Sequence, residues 1–110
     1  MTGVPGFGAQ LRSHPPERQW QIVRRLEELG FDSVWTGDHV AFNVPLHESL
    51  TLLASYTPIT RRIRIGTCVY LLALRAPAVA AKMTATLDVL SGGRFIFGVG
   101  VGGEIPKEFE

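Results

Sequence analysis

Gly30-Phe31-Asp32-Ser33-Val34-Trp35-Thr36-Gly37-Asp38-His39 is the stretch on which the reading of this chain turns. It opens with a glycine placed to end a helix in the left-handed conformation that only glycine adopts cheaply. Phe31, Val34 and Trp35 supply the apolar, β-favouring body of a short strand, and Gly37 allows a turn at its carboxyl end. The tip carries a carboxylate, Asp38, and an imidazole, His39. In parallel α/β proteins the loops that follow the strands converge over a rigid sheet, and ligands bind there. Asp38 and His39 are therefore the first candidates for chemistry.

Working outward, Glu17 to Leu29 places Ile22, Leu26 and Leu29 at helical spacing, with Trp20 and Val23 widening the stripe, behind Pro15-Pro16 at the start. Val4 to Ala9 is a weak first strand. After the organising strand, Val40 to Pro45 reads as a loop. A second helix follows with Leu46, Leu50, Leu53 and Thr57 on one face, closed by Pro58. Arg61 to Val69 is a strand, and Pro77 opens a third helix whose stripe is Val79, Met83, Leu87 and Leu90. Ser91-Gly92-Gly93 stops that helix, Arg94 to Val101 is a strand again, and Pro106 begins another helix. Strands starting near Asp32, Ile63 and Arg94 recur every 31 residues. That βα cadence predicts a parallel sheet, either doubly wound or an arc of a (β/α)8 barrel. Four strands are half of a barrel of about 250 residues, so residues 1–110 are expected to be part of a larger protein.

The composition narrows the function classes. The chain has 110 residues, 45% hydrophobic and 19% charged, with a formal charge of +1, which is ordinary soluble globular composition for at most one domain. The balance of charge and the lack of a Lys/Arg run argue against a nucleic-acid partner. The start lacks the basic and apolar regions of a signal peptide, and Cys68 to Leu74 is too short to cross a bilayer. The single cysteine, Cys68, forms no internal disulfide, fits a reducing cytoplasm, and reads as a small buried apolar residue rather than a nucleophile. No two histidines have metal-ligand spacing, and His14 and His47 read as surface residues.

Gly98-Val99-Gly100-Val101-Gly102-Gly103 spells G-x-G-x-x-G, but it follows the fourth strand and Ile105-Pro106 delays any helix that could hold a pyrophosphate. The glycines read instead as a place where a flat ligand approaches the backbone. Glu104, just after them, suits either a helix start or an active-site carboxylate. At the other tip, Asp38 could simply cap a turn and His39 could be a solvated loop residue. Position favours chemistry, because His exchanges protons near neutral pH.

Three segments together resemble the bacterial luciferase-like monooxygenase family. They are Gly30 to Trp35 with Asp38-His39, then Arg62 to Val69 with Arg75-Ala76-Pro77, then Thr86 to Phe95 with Gly98 to Gly102. The resemblance covers nearly the whole chain and implies a (β/α)8 barrel of which this is the amino-terminal half. It implies a flavin- or deazaflavin-dependent oxidoreductase using coenzyme F420 (a deazaflavin) or FMN on a small organic substrate. It further implies His39 as base on a substrate alcohol, Asp38 beside the flavin ring, and Glu104 as a loosely matched catalytic acid. Cofactor contacts are expected at Asp38, Thr67, Cys68, Val69, Gly100 and Val101. The family also implies a cis peptide bond joining Cys68 and Val69, in a bulge behind the ring. Its phosphate grip belongs to the other half of the barrel. A homo-oligomer is expected, and the alternative reading is a non-catalytic half-barrel that pairs with itself or with a partner subunit.

Overall fold

The computed structural model describes Gly3 and residues 5–110, and it alternates strands with helices along the chain. The order is β1 (Gly8–Gln10), α1 (Pro16–Glu28), β2 (Ser33–Thr36), α2 (Ser49–Tyr56), β3 (Arg64–Leu71), α3 (Pro77–Leu90) and β4 (Phe95–Gly100), with single 3-10 turns at Thr57–Ile59, Leu72–Leu74 and Pro106–Phe109. The four strands form one sheet in the order β1-β2-β3-β4, and every pair is parallel.

The helix stops are built as the glycines foretell. Gly30 has φ +86°, its N–H donates to the Glu27 carbonyl, and Phe31 N–H reaches back to Leu26, so these two carbonyls of the last turn of α1 are satisfied. Gly92 and Gly93 repeat the device at the end of α3, bonding Val89 and Asp88. Glu48 begins α2 by accepting from Leu50 N–H at 3.2 Å and Thr51 N–H at 2.7 Å. Glu27 reaches across to accept from the N–H groups of Arg61, Arg62 and Ile63, tying α1 to the approach of β3.

One core gathers Val23 of α1, Leu50, Leu53 and Tyr56 of α2, Ala80 and Leu87 of α3, and Val34, Ile65 and Tyr70 of the sheet. All three helices therefore cover the same face. On the opposite face, the Trp35 indole lies across Gly66 and Gly8; a Cβ on Gly66 would sit 2.5 Å from the ring. A doubly wound sheet carries helices on both faces and reverses its strand order. Sequential order with one helical face is instead four consecutive strands of a (β/α)8 barrel. No helix among the described residues is long and apolar enough to cross a membrane.

Several expected positions shift. The first strand is Gly8–Gln10, displaced toward the carboxyl side of Val4 to Ala9, and Val4 lies outside the described residues. Leu46 precedes α2, and Leu29, Val79 and Leu90 are exposed, while Gln19, Tyr56 and Ala80 fill the faces assigned to them. Gln19 is a polar residue that the core accepts because both ends are bonded: it donates to Tyr56 Oη and accepts from His14 N–H, each at 2.8 Å. Burial, opposed by that bond from Gln19, pushes the Tyr56 hydroxyl up to about 12. β3 begins at Arg64 rather than Arg61 and runs on to Leu71, and Pro106 opens a 3-10 turn.

Candidate active site at the carboxyl ends of the strands

β2 ends by delivering Gly37, Asp38 and His39 to the rim of the sheet. The Asp38 carboxylate is buried and held on all sides. Arg75 grips it with two parallel bonds, Nη1 to Oδ2 at 2.7 Å and Nη2 to Oδ1 at 2.8 Å. Leu71 N–H donates to Oδ2 at 2.8 Å, and the Ser49 hydroxyl approaches Oδ1 at 3.4 Å. Burial alone would lower the Arg75 pKa; the bond to Asp38 outweighs it and raises the value. The guanidinium also lies 4.4 Å over the Tyr70 ring.

His39 is held differently. Its Nδ1 lies 3.1 Å from Glu108 Oε1, and its ring stacks on Phe42 with centroids 4.2 Å apart and planes 5° from parallel. Glu108 comes from the 3-10 turn after β4 and also accepts from the N–H groups of Val40 (2.7 Å) and Ala41 (3.1 Å). Burial works to raise the Glu108 carboxyl, but these bonds prevail and hold it below the usual range. Nε2 of His39 makes no hydrogen bond among the described residues.

β3 and β4 supply the floor. Their register slips between Thr67 and Tyr70, and the Cys68-Val69 peptide bond is cis. The neighbouring glycines explain how β4 accommodates this. A Cβ on Gly98 would meet the Thr67 carbonyl oxygen, and one on Gly100 would meet a methyl of Val69. Hence Gly98 and Gly100 make room for the bulge of β3, a role the flat-ligand reading of the glycine run did not foresee. Above the bulge lies a cleft of about 380 Å³, a size that takes a small-molecule ligand. Asp38, His39, Cys68, Val69, Gly100, Val101, Glu104 and Glu108 all border it.

The family model for luciferase-like monooxygenase matches residues 3–109. The chain belongs to the luciferase-like monooxygenase family. Among its relatives, the F420-dependent glucose-6-phosphate dehydrogenase of Amycolatopsis mediterranei is 38% identical over 104 residues, covering 88% of this chain and 31% of that protein. The 4-hydroxyprotoasukamycin monooxygenase of Streptomyces nodosus subsp. asukaensis is 36% identical over 92 residues, covering 83% and 24%. The structure of the coenzyme F420 dependent tetrahydromethanopterin reductase from Methanopyrus kandleri matches with a TM-score of 0.80 at 30% identity, over 94% of this chain and 28% of that one. This chain spans about a quarter to a third of the length of these luciferase-like relatives.

Seven of the eight residues expected at a site border the cleft. Thr67 does not: it is fully buried, and its hydroxyl donates to the Gly98 carbonyl at 2.8 Å. Cys68, expected to be buried, is exposed, and its carbonyl accepts from Gln10 Nε2 at 3.3 Å. His14 and His47, expected at the surface, are half-buried and joined, His47 Nε2 lying 2.8 Å from the His14 carbonyl. Glu104 is exposed at the rim. The acid on His39 is Glu108, and no local feature of the sequence prefers it over Glu104. Arg75 stands in one of the three family-like segments with no role attached to it there; a buried Asp in need of a cation is the signal that points to it.

Proposed function

We propose that this chain carries the proton-handling and ring-supporting part of a flavin- or deazaflavin-dependent oxidoreductase acting on a small organic substrate. The observation that carries the reading is the His39–Glu108 contact at the edge of the cleft. With neutral imidazole, Nδ1–H donates to the Glu108 carboxylate, so the lone pair resides on Nε2. Nε2 is then the atom that takes a proton from a substrate hydroxyl. Glu108 fixes the tautomer and stabilises the imidazolium that forms, and Phe42 fixes the ring plane.

The cleft's make-up fits a flat cofactor: backbone at the Cys68-Val69 bulge, small Gly100, and apolar Val69 and Val101 along one side. Coenzyme F420 or FMN bound there would supply hydride transfer. Asp38 acts through Arg75 and Leu71, holding the end of β2 against the end of β3, and is a positioning residue. Glu104 is the rim carboxylate with no partner among the described residues, and is the second candidate for proton transfer.

The test is made in the complete enzyme containing this chain. His39→Ala should lower kcat for alcohol oxidation by roughly 10²–10⁴-fold, the usual contribution of a positioned base. Glu108→Gln should shift the pH profile of kcat while leaving cofactor affinity near that of the wild type. An unchanged rate and pH profile in His39→Ala would return His39 to a loop residue with no chemistry.

A further inference from the structure

A second concavity opens on the same face, between the loops that follow β1 and β2. Its volume is about 560 Å³, and Arg12, Phe42, Val44 and Leu46 are among the residues around it. Phe42 stands between this space and the catalytic candidate, since its ring stacks on His39. Phe42 and Val44 expose apolar surface here, and Arg12 is the only charged residue of the lining among the described residues.

Arg12 differs from the other guanidinium near this face. Arg75 spends its charge on Asp38 at 2.7 and 2.8 Å. Arg12 has neither an ion pair nor a side-chain hydrogen bond among the described residues. The segment that carries it is nonetheless anchored on both sides. Leu11 N–H donates to the Trp35 carbonyl at 3.0 Å, and the Ser13 hydroxyl accepts from His47 N–H at 3.0 Å. A fixed loop thus presents an exposed cation, unpaired among the described residues, at the mouth of a space lined by Phe42, Val44, Pro45 and Leu46 together with Ser13 and Asn43.

We propose that this second concavity is a substrate subsite for a carboxylate carried on an apolar body, with Arg12 pairing the carboxylate and Phe42 and Val44 covering the body. One guanidinium matches a single negative charge, and its fork suits two carboxylate oxygens. A phosphate monoester would bring a second charge, and the lining offers no second cation among the described residues to meet it. The body lies against Phe42, the ring that stacks on His39. This inference rests on the proton-transfer reading of His39 for its meaning, but the binding it claims is measured without coenzyme or turnover.

The probe is 3-phenylpropionate, titrated into the ¹⁵N-labelled 110-residue chain, with 3-phenylpropan-1-ol as the uncharged match. The acid should give saturable amide shifts centred on Arg12, Phe42 and Val44. Arg12→Gln, and equally the change from acid to alcohol, should weaken binding by about tenfold, the worth of a charge-assisted hydrogen bond. Arg12→Lys should fall between. Equal binding of acid and alcohol, an unchanged affinity in Arg12→Gln, or shifts mapping elsewhere would overturn the subsite. If the acid binds as stated while His39→Ala turns over normally in the complete enzyme, the subsite stands and the proton-transfer reading falls. If the acid fails to bind while His39→Ala loses its turnover, the subsite falls and proton transfer by His39 stands.

Discussion

Burying the Asp38 carboxylate costs several kcal/mol unless its charge is met, and Arg75 meets it in a two-pronged grip. Removing the cation while leaving the anion should therefore be severe: Arg75→Met is expected to destabilise the chain by about 3–5 kcal/mol, read from urea unfolding. Tyr70 presents the opposite case. Its hydroxyl is buried without a hydrogen-bond partner among the described residues, and burial raises its pKa, with Arg75 opposing. Tyr70→Phe keeps the ring under Arg75 and removes the orphan group, so stability should stay level or rise by about 1 kcal/mol in the same assay. Glu108 is sensitive to acid. Its folded-state pKa lies below the unfolded one, so its bonds contribute fully above the unfolded pKa and are lost as pH falls through the folded value. The amide resonances of Val40 and Ala41 should accordingly move together on acidification below the usual carboxylate range, and a flat response there would remove Glu108 as their acceptor.

At the scale of elements, the glycines of β4 answer to β3. Gly98→Ala sets a methyl against a backbone carbonyl that cannot rotate away, and should cost about 1–3 kcal/mol, with loss of the β3–β4 amide pattern by NMR. Gly100→Ala meets only a Val69 methyl and should cost less. The strand–helix cadence was legible because glycine stops and apolar spacing are local signals, and Gly30, Gly92 and Gly93 behave as their spacing implies. Which helical residues face inward was less so. Gln19 is buried because Tyr56 and His14 N–H meet its amide, partners that lie outside its own helix. Glu108 was missed for the same reason: its value comes from His39, 69 residues away, and nothing near Pro106 announces it. Asp38 and His39 were found because a polar pair at a strand's end is a feature of the strand itself.

At the scale of the molecule, β1 and β4 are outer strands whose free edges have no partner among the described residues, and Phe97, Val99 and Val101 of the last strand and its exit are exposed. The cleft is bordered by the ends of β1, β3 and β4 and by the segments that follow β2 and β4. The 110-residue chain is therefore expected to hold FMN or coenzyme F420 more weakly than micromolar and to show no turnover; a fluorescence or absorbance titration that saturates at micromolar cofactor would prove the half-site sufficient. Among the described residues, each strand pairs only with its neighbours in chain order. A ribosome releasing this chain thus exposes each new strand directly beside an edge already in place. Assembly can proceed by addition in synthesis order, with no strand waiting for a distant partner to be made.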